Sequence, residues 1–247
     1  MKSVRFVALL IFISCFSHLS YSQFYSGSQM TFGKNRVQYT EEKIWSYFRF
    51  SKYDTYFYQN GRELAINTAL YTNQVLTNIE NSFQYPIENK IQFIIFNSLS
   101  DLKQSNIGLT RDEIYNIGGV TQVIGNTVVL YFDGNYRNFE RQIRIGIAKI
   151  LVNQIFYGDQ LASNIKNSAF LFLAEWYING LVSYIADDWS TEFDNKARNG
   201  FINGAFQKFN HLTAEEAIIA GHSIWKFVDD RYGKDVIPNI VYMTKIS

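Results

Sequence analysis

The order of the predicted elements indicates an α+β domain with an N-terminal mixed sheet lobe and a C-terminal helical lobe. Three observations support this class. Short aromatic strands come first, a continuous apolar run at residues 91–96 is too short for a helix, and only helical periodicity follows residue 134. A chain of 247 residues, 47% of them hydrophobic, is long enough to bury one core.

The strands of the sheet are recognised by alternating aromatic and polar residues, or by short apolar runs between turn signals. The run at 91–96 predicts a buried central strand. Gly125 and Asn126 lie between two apolar runs and predict a tight hairpin. The predicted strands are residues 31–39, 45–50, 53–58, 91–96, 120–124 and 127–132.

The helices are recognised by apolar residues that recur at helical spacing. Pro86 follows the first helix, Asn138 is the predicted N-cap of the second, and Gly158 ends it. The third is apolar nearly all round, so we expect it at the centre of the helical lobe. The predicted helices are residues 62–83, 138–158, 170–185, 213–232 and 235–245.

The first residues predict a signal peptide. Lys2 and Arg5 precede an apolar run of about eleven residues, and small residues precede Gln23. That run is too short for a bilayer span of roughly twenty residues, and no later segment qualifies. We therefore predict export, a leader of residues 1–22 cleaved before Gln23, and one domain of residues 23–247. Its sheet lobe covers about 30–133 and its helical lobe about 134–247.

Charge and cysteine content exclude several functions. The net charge is +1 and the basic residues are not clustered, so nothing favours nucleic acid or an anionic membrane surface. The single cysteine, Cys15, lies in the predicted leader. The mature chain therefore has no disulfide, no cysteine nucleophile and no thiolate metal site.

Two segments carry a family resemblance. Residues 144–151 read R-I-G-I-A-K-I-L and residues 174–184 read A-E-W-Y-I-N-G-L-V-S-Y. They resemble the helices of a gluzincin zinc peptidase of the peptidase-MA-like type, which read H-E-x-x-H-x-L and E-W-x-x-E-G-L-x-x-Y. The specific matches are Trp176, Gly180, Leu181 and Tyr184.

The resemblance places the zinc-binding histidines at Ile145 and Lys149, the general base at Gly146 and the third zinc ligand at Asn179. None of these side chains can perform the corresponding role. The resemblance therefore implies a gluzincin-like fold without catalysis, zinc or another cofactor: a pseudopeptidase of the Gram-negative envelope, periplasmic or associated with the outer membrane.

Lys149 is predicted to project from the first motif helix toward the position of the lost ion. We expect either an ion pair with Glu175, with Asn179 accepting a hydrogen bond, or extension of Lys149 to solvent. The first arrangement would replace zinc as a connection between the two helices.

The resemblance also implies a binding edge, because active gluzincins hold substrate beside the strand that precedes the first motif helix. That strand corresponds here to Val120, Thr121, Gln122, Val123 and Ile124. Its sequence has no Lys, Glu or Pro to block strand addition, although another part of the protein could cover it. The expected partners are an envelope protein or peptide, with a C-terminal β-propeller on a longer chain as one candidate.

The alternative is an enzyme, either a metallopeptidase with an unrecognised site or a hydrolase that uses Glu175, Asp187 and His222. The residues themselves favour other roles. We expect His222 in a core or half-exposed position and the Asp187-Asp188 pair at a solvated helix end. No serine lies in a G-x-S-x-G turn.

Overall fold

The computed structural model describes residues 44–103, 122–158 and 173–246. The predicted leader, the predicted strand at residues 31–39, and the site residues Val120 and Thr121 lie outside these ranges. Five strands lie within them: β1 (Ser46–Arg49), β2 (Tyr53–Phe57), β3 (Ile91–Phe96), β4 (Gln122–Ile124) and β5 (Thr127–Tyr131).

The strands form one mixed sheet in the order β1-β2-β3-β5-β4. The three inner strands β2, β3 and β5 are parallel, whereas β1 and β4 are antiparallel to their neighbours at the two ends. The predicted central strand is confirmed, because β3 lies in the middle and three of its side chains are completely buried. The predicted hairpin is confirmed as β4-β5.

Seven helices are described, and together with the sheet they confirm the mixed α+β class. They are α1 (Arg62–Phe83), α2 (Leu99–Lys103), α3 (Tyr136–Tyr157), α4 (Glu175–Ala186), α5 (Thr191–Ile202), α6 (Ala214–Tyr232) and α7 (Val236–Ile246). None of them is long and apolar enough to cross a lipid bilayer.

Two helix starts differ from prediction. The N-cap of α3 is Asn135, whose side chain accepts a hydrogen bond from the N–H of Arg137, and not Asn138. The side chain of Asn138 instead donates to Asp133 at 2.8 Å. Helix α4 begins at Glu175, later than predicted. The apolar residues before it extended the predicted pattern, because hydrophobicity alone does not mark a helix start.

The main core lies between α1, α3 and one face of the sheet. Tyr53 on β2 donates its hydroxyl hydrogen to the carbonyl oxygen of Ala69 on α1 at 2.9 Å. Gln142 on α3 bonds both the N–H and the C=O of Tyr131, at 3.2 and 2.9 Å. These bonds fix both helices against the sheet. Leu181 on α4 and Trp225 on α6 extend the same core into the helical part.

Helices α4 and α6 cross at two glycines. A Cβ added to Gly221 would lie 1.9 Å from the carbonyl oxygen of Trp176, and one added to Gly180 would lie 2.4 Å from the Cα of Gly221. Neither position has room for a methyl group, so the two backbones are in direct contact. Gly180, which the sequence pattern identified as a motif residue, therefore has a packing role.

Candidate functional site

The positions at which the resemblance predicts zinc ligands and a general base lie on two helices in contact. Ile145, Gly146 and Lys149 are on α3, and Asn179 is on α4. Gly146 is buried, while the other three are partly buried. Ile145 packs against the main core. Within residues 44–103, 122–158 and 173–246, no group of three or more His, Cys, Asp or Glu side chains converges as a protein metal site requires.

Glu175 makes a contact that the sequence did not predict. It is the first residue of α4, and its carboxylate accepts a hydrogen bond from the N–H of Ala214 at 3.2 Å. Ala214 begins α6, where the unpaired N–H groups of a helix attract negative charge. Among the ion pairs of the described residues, none joins Lys149 to Glu175.

A described polar connection between α3 and α4 lies at the end of α4. Arg141 donates from Nε and Nη2 to the two carboxylate oxygens of Asp187, each at 2.7 Å. One turn further along α3, Arg144 donates to the carbonyl oxygen of Ala186 and to the hydroxyl of Tyr71. The side chain of Asp187 is only 11% exposed. Asp187 therefore lies at the predicted helix end but is ion-paired rather than solvated.

A buried polar pair lies beside the glycine crossing. The hydroxyl of Ser183 is 2.9 Å from Nδ1 of His222, and these residues are 5% and 1% exposed. The imidazole ring also contacts Tyr184, Trp189 and Phe193, with the Phe193 ring centroid 4.5 Å away. His222 therefore occupies the core, one of the two positions expected for it.

The Ser183-His222 pair is arranged for packing and not for nucleophilic catalysis. A catalytic serine must reach substrate, and its histidine needs a carboxylate on the other ring nitrogen. Here both side chains are buried, and the carboxylate of Asp187 binds Arg141 and, at 3.5 Å, the hydroxyl of Ser183. Burial also lowers the pKa of His222 to about 4, with Lys226 adding to the effect and Asp187 and Asp188 opposing it.

The predicted binding strand is an outer strand of the described sheet. Ile124 pairs with Thr127 across the turn at Gly125 and Asn126. Because the first carbonyl of such a turn accepts from the fourth N–H, Ile124 and Thr127 are a hydrogen-bonded pair. Bonded and non-bonded pairs alternate along an antiparallel ladder.

It follows that Gln122 uses its N–H and C=O to bond Val129, whereas Val123 faces Val128 in a non-bonded pair. The N–H and C=O of Val123 therefore point away from β5, toward the outer side of the described sheet. The Val123 side chain packs against the main core, and Ile124, on the opposite face, is 55% exposed. Val123 is the residue of β4 that presents main-chain groups to an added strand.

The chain matches no protein-family model, no curated protein and no solved structure. The candidate site therefore rests on its own geometry. Sequence reasoning missed the Arg141-Asp187 pair and the Ser183-His222 bond. Each joins residues that are distant in sequence, which spacing along the chain does not reveal. Only the opposite charges of Arg141 and Asp187 indicated that these two residues could pair.

Proposed function

We propose that this chain is a non-catalytic, exported pseudopeptidase-type domain that binds a protein or peptide partner in the bacterial envelope. The observation that carries the proposal is the residue set on the facing helices α3 and α4. Ile145, Gly146, Lys149 and Asn179 supply no imidazole or carboxylate at the four positions where the family resemblance requires them.

The outer strand β4 supports a binding role. An edge strand offers unpaired N–H and C=O groups that accept another strand. The edge of β4 offers the main chain of Val123 and the exposed side chain of Ile124. Main-chain bonds to Val123 would hold an extended segment, and an apolar side chain of that segment would cover Ile124.

Purified wild-type protein without a tag is expected to contain well below one equivalent of zinc, measured by elemental analysis. The matched variant restores the missing ligands through Ile145→His, Lys149→His and Asn179→Glu. It is expected to bind about one zinc ion, since three such ligands and one open position make a complete site.

Stoichiometric zinc in the wild type, with chelator-sensitive cleavage of unfolded casein, would overturn the non-catalytic proposal. A folded triple variant that takes up no zinc would count against the resemblance itself, because the helices would then not hold these positions in the family arrangement.

Val123→Pro is expected to reduce partner binding roughly tenfold while the domain stays folded, because it removes the outward N–H of the edge. Proline is tolerated on edge strands where the N–H faces away from the sheet. Binding is measured by photo-crosslinking from a probe at Ile124 in cells, with a probe at the exposed Leu70 on α1 as the control site.

Gln122→Pro is the matched control for the fold. It removes an N–H that bonds Val129 inside the sheet, so its melting temperature should fall further than that of Val123→Pro. If Val123→Pro keeps the wild-type melting temperature and the wild-type crosslinks, β4 is not the interface.

A further inference from the structure

We infer that β4 is also the contact through which two copies of this chain pair edge to edge, about a twofold axis at Val123. This inference goes beyond the proposed function and does not depend on an envelope partner.

The register of β4 makes this edge complementary to itself. In an antiparallel pair, two residues that face each other in a bonded position exchange both of their hydrogen bonds. Val123 is the middle residue of β4, and its N–H and C=O point outward. Two copies related by a twofold axis perpendicular to the sheet therefore align Val123 with Val123 of the second copy, and each N–H meets a carbonyl oxygen.

The side chains agree with this register. The twofold axis keeps the helix-covered face of one sheet continuous with that of the other. The axis also places Ile124 of each copy opposite Gln122 of the other copy. The exposed apolar side chain of Ile124 is thereby covered. The described strand and its turn, residues 122–127, contain no charged side chain that could meet a like charge of the second copy.

The other outer strand of the described sheet, β1, carries a charged side chain. Arg49 has a side chain that is 64% exposed and lies 3.9 Å from the carboxylate of Asp54. Charged side chains are a common protection of sheet edges. The two ends of the described sheet therefore differ, and β4 is the end suited to self-pairing.

Pairing of two copies would occupy the same main-chain groups that a partner strand uses. The dimer and the partner complex are therefore mutually exclusive. A dimer would store the domain with its binding edge covered, and a partner would have to compete with the second copy.

Disulfide trapping tests the register directly, because the single cysteine of the sequence, Cys15, lies in the predicted leader. Val123→Cys should form a crosslinked dimer under mild oxidation, since Cα atoms of a bonded pair lie about 5.5 Å apart, within disulfide range. Ile124→Cys is the control. It is the more exposed position, but in this register the two Ile124 Cα atoms lie roughly 8 Å apart, too far for a disulfide.

The expected result is faster dimer formation by Val123→Cys than by Ile124→Cys on a non-reducing gel. Sedimentation of purified wild type should show a concentration-dependent dimer that Val123→Pro abolishes. Equal or reversed crosslinking rates would overturn the register. A wild type that stays monomeric, or a Val123→Pro variant that still dimerises, would overturn the contact. Because purified protein is used, these outcomes are independent of partner crosslinking in cells.

Discussion

Gly221→Ala is expected to destabilise the domain by about 3 kcal/mol or more. The added methyl group would lie 1.9 Å from the carbonyl oxygen of Trp176, and backbone atoms cannot move aside as a flexible side chain can. Helices α4 and α6 would have to separate and uncover the apolar residues around Trp225. Thermal unfolding should show a melting temperature lowered by roughly 6–12 °C.

Ser223→Ala is the matched control on the same helix. It removes only a hydroxyl that donates to the carbonyl oxygen of Ala220 at 2.7 Å, so its melting temperature should stay near that of the wild type. Gly180→Ala should behave like Gly221→Ala. A melting temperature unchanged in both glycine variants would show that the helices do not cross at these residues.

Acidification from pH 7 to pH 4 is expected to remove about 3 kcal/mol of stability through His222 alone. Burial lowers the pKa of this imidazole from 6.5 to about 4, so the folded state favours the neutral ring. The unfolded state binds the proton more readily between these values. The contribution of His222 is therefore complete above pH 6.5 and is lost as the pH falls toward 4.

The groups around the imidazole ring determine how strongly acidification destabilises the folded state through His222. The ring is surrounded by uncharged atoms of Ser183 and Tyr184 on α4, of Trp189 just before α5, and of Phe193 on α5. Asp187 and Asp188 favour the protonated ring, whereas Lys226 opposes it. Burial is the largest of these effects, so the net direction is acid destabilisation.

Urea unfolding of His222→Asn at pH 7, 5.5 and 4 provides the measurement. This variant keeps a short polar group near Ser183 but does not titrate, so its loss of stability on acidification should be smaller than that of the wild type. His211→Asn, which replaces an exposed histidine, is measured in parallel as a substitution control. The same acid dependence in wild type and His222→Asn would contradict the assignment.

Elements defined by local pattern were predicted closely. Helix α1 has the predicted bounds because Gly61 and Pro86 flank it. Strand β3 also has the predicted bounds, because the continuous apolar run defines both of its ends. The β4-β5 hairpin follows from the two turn residues between its strands. Helix α5 was missed, because its few apolar residues give a weak pattern despite the Ser190 side chain that caps its start.

Contacts between distant residues could not be predicted in the same way. The pattern identified Gly180 as a motif residue, but nothing around Gly221 indicated that the two backbones meet. The Arg141-Asp187 ion pair between α3 and the end of α4 was not predicted either. Sequence spacing shows which residues share a helix face, but the crossing of two helices depends on the whole packed core.

The glycine crossing also limits how this domain can move. Packed helices commonly adapt to ligands by sliding along each other, a shear motion that needs several alternative contacts of similar energy. Sliding α4 by one residue would bring the side chain of Asn179 or Leu181 against the backbone at Gly221, where not even a methyl group fits. Helices α4 and α6 should therefore behave as one rigid body.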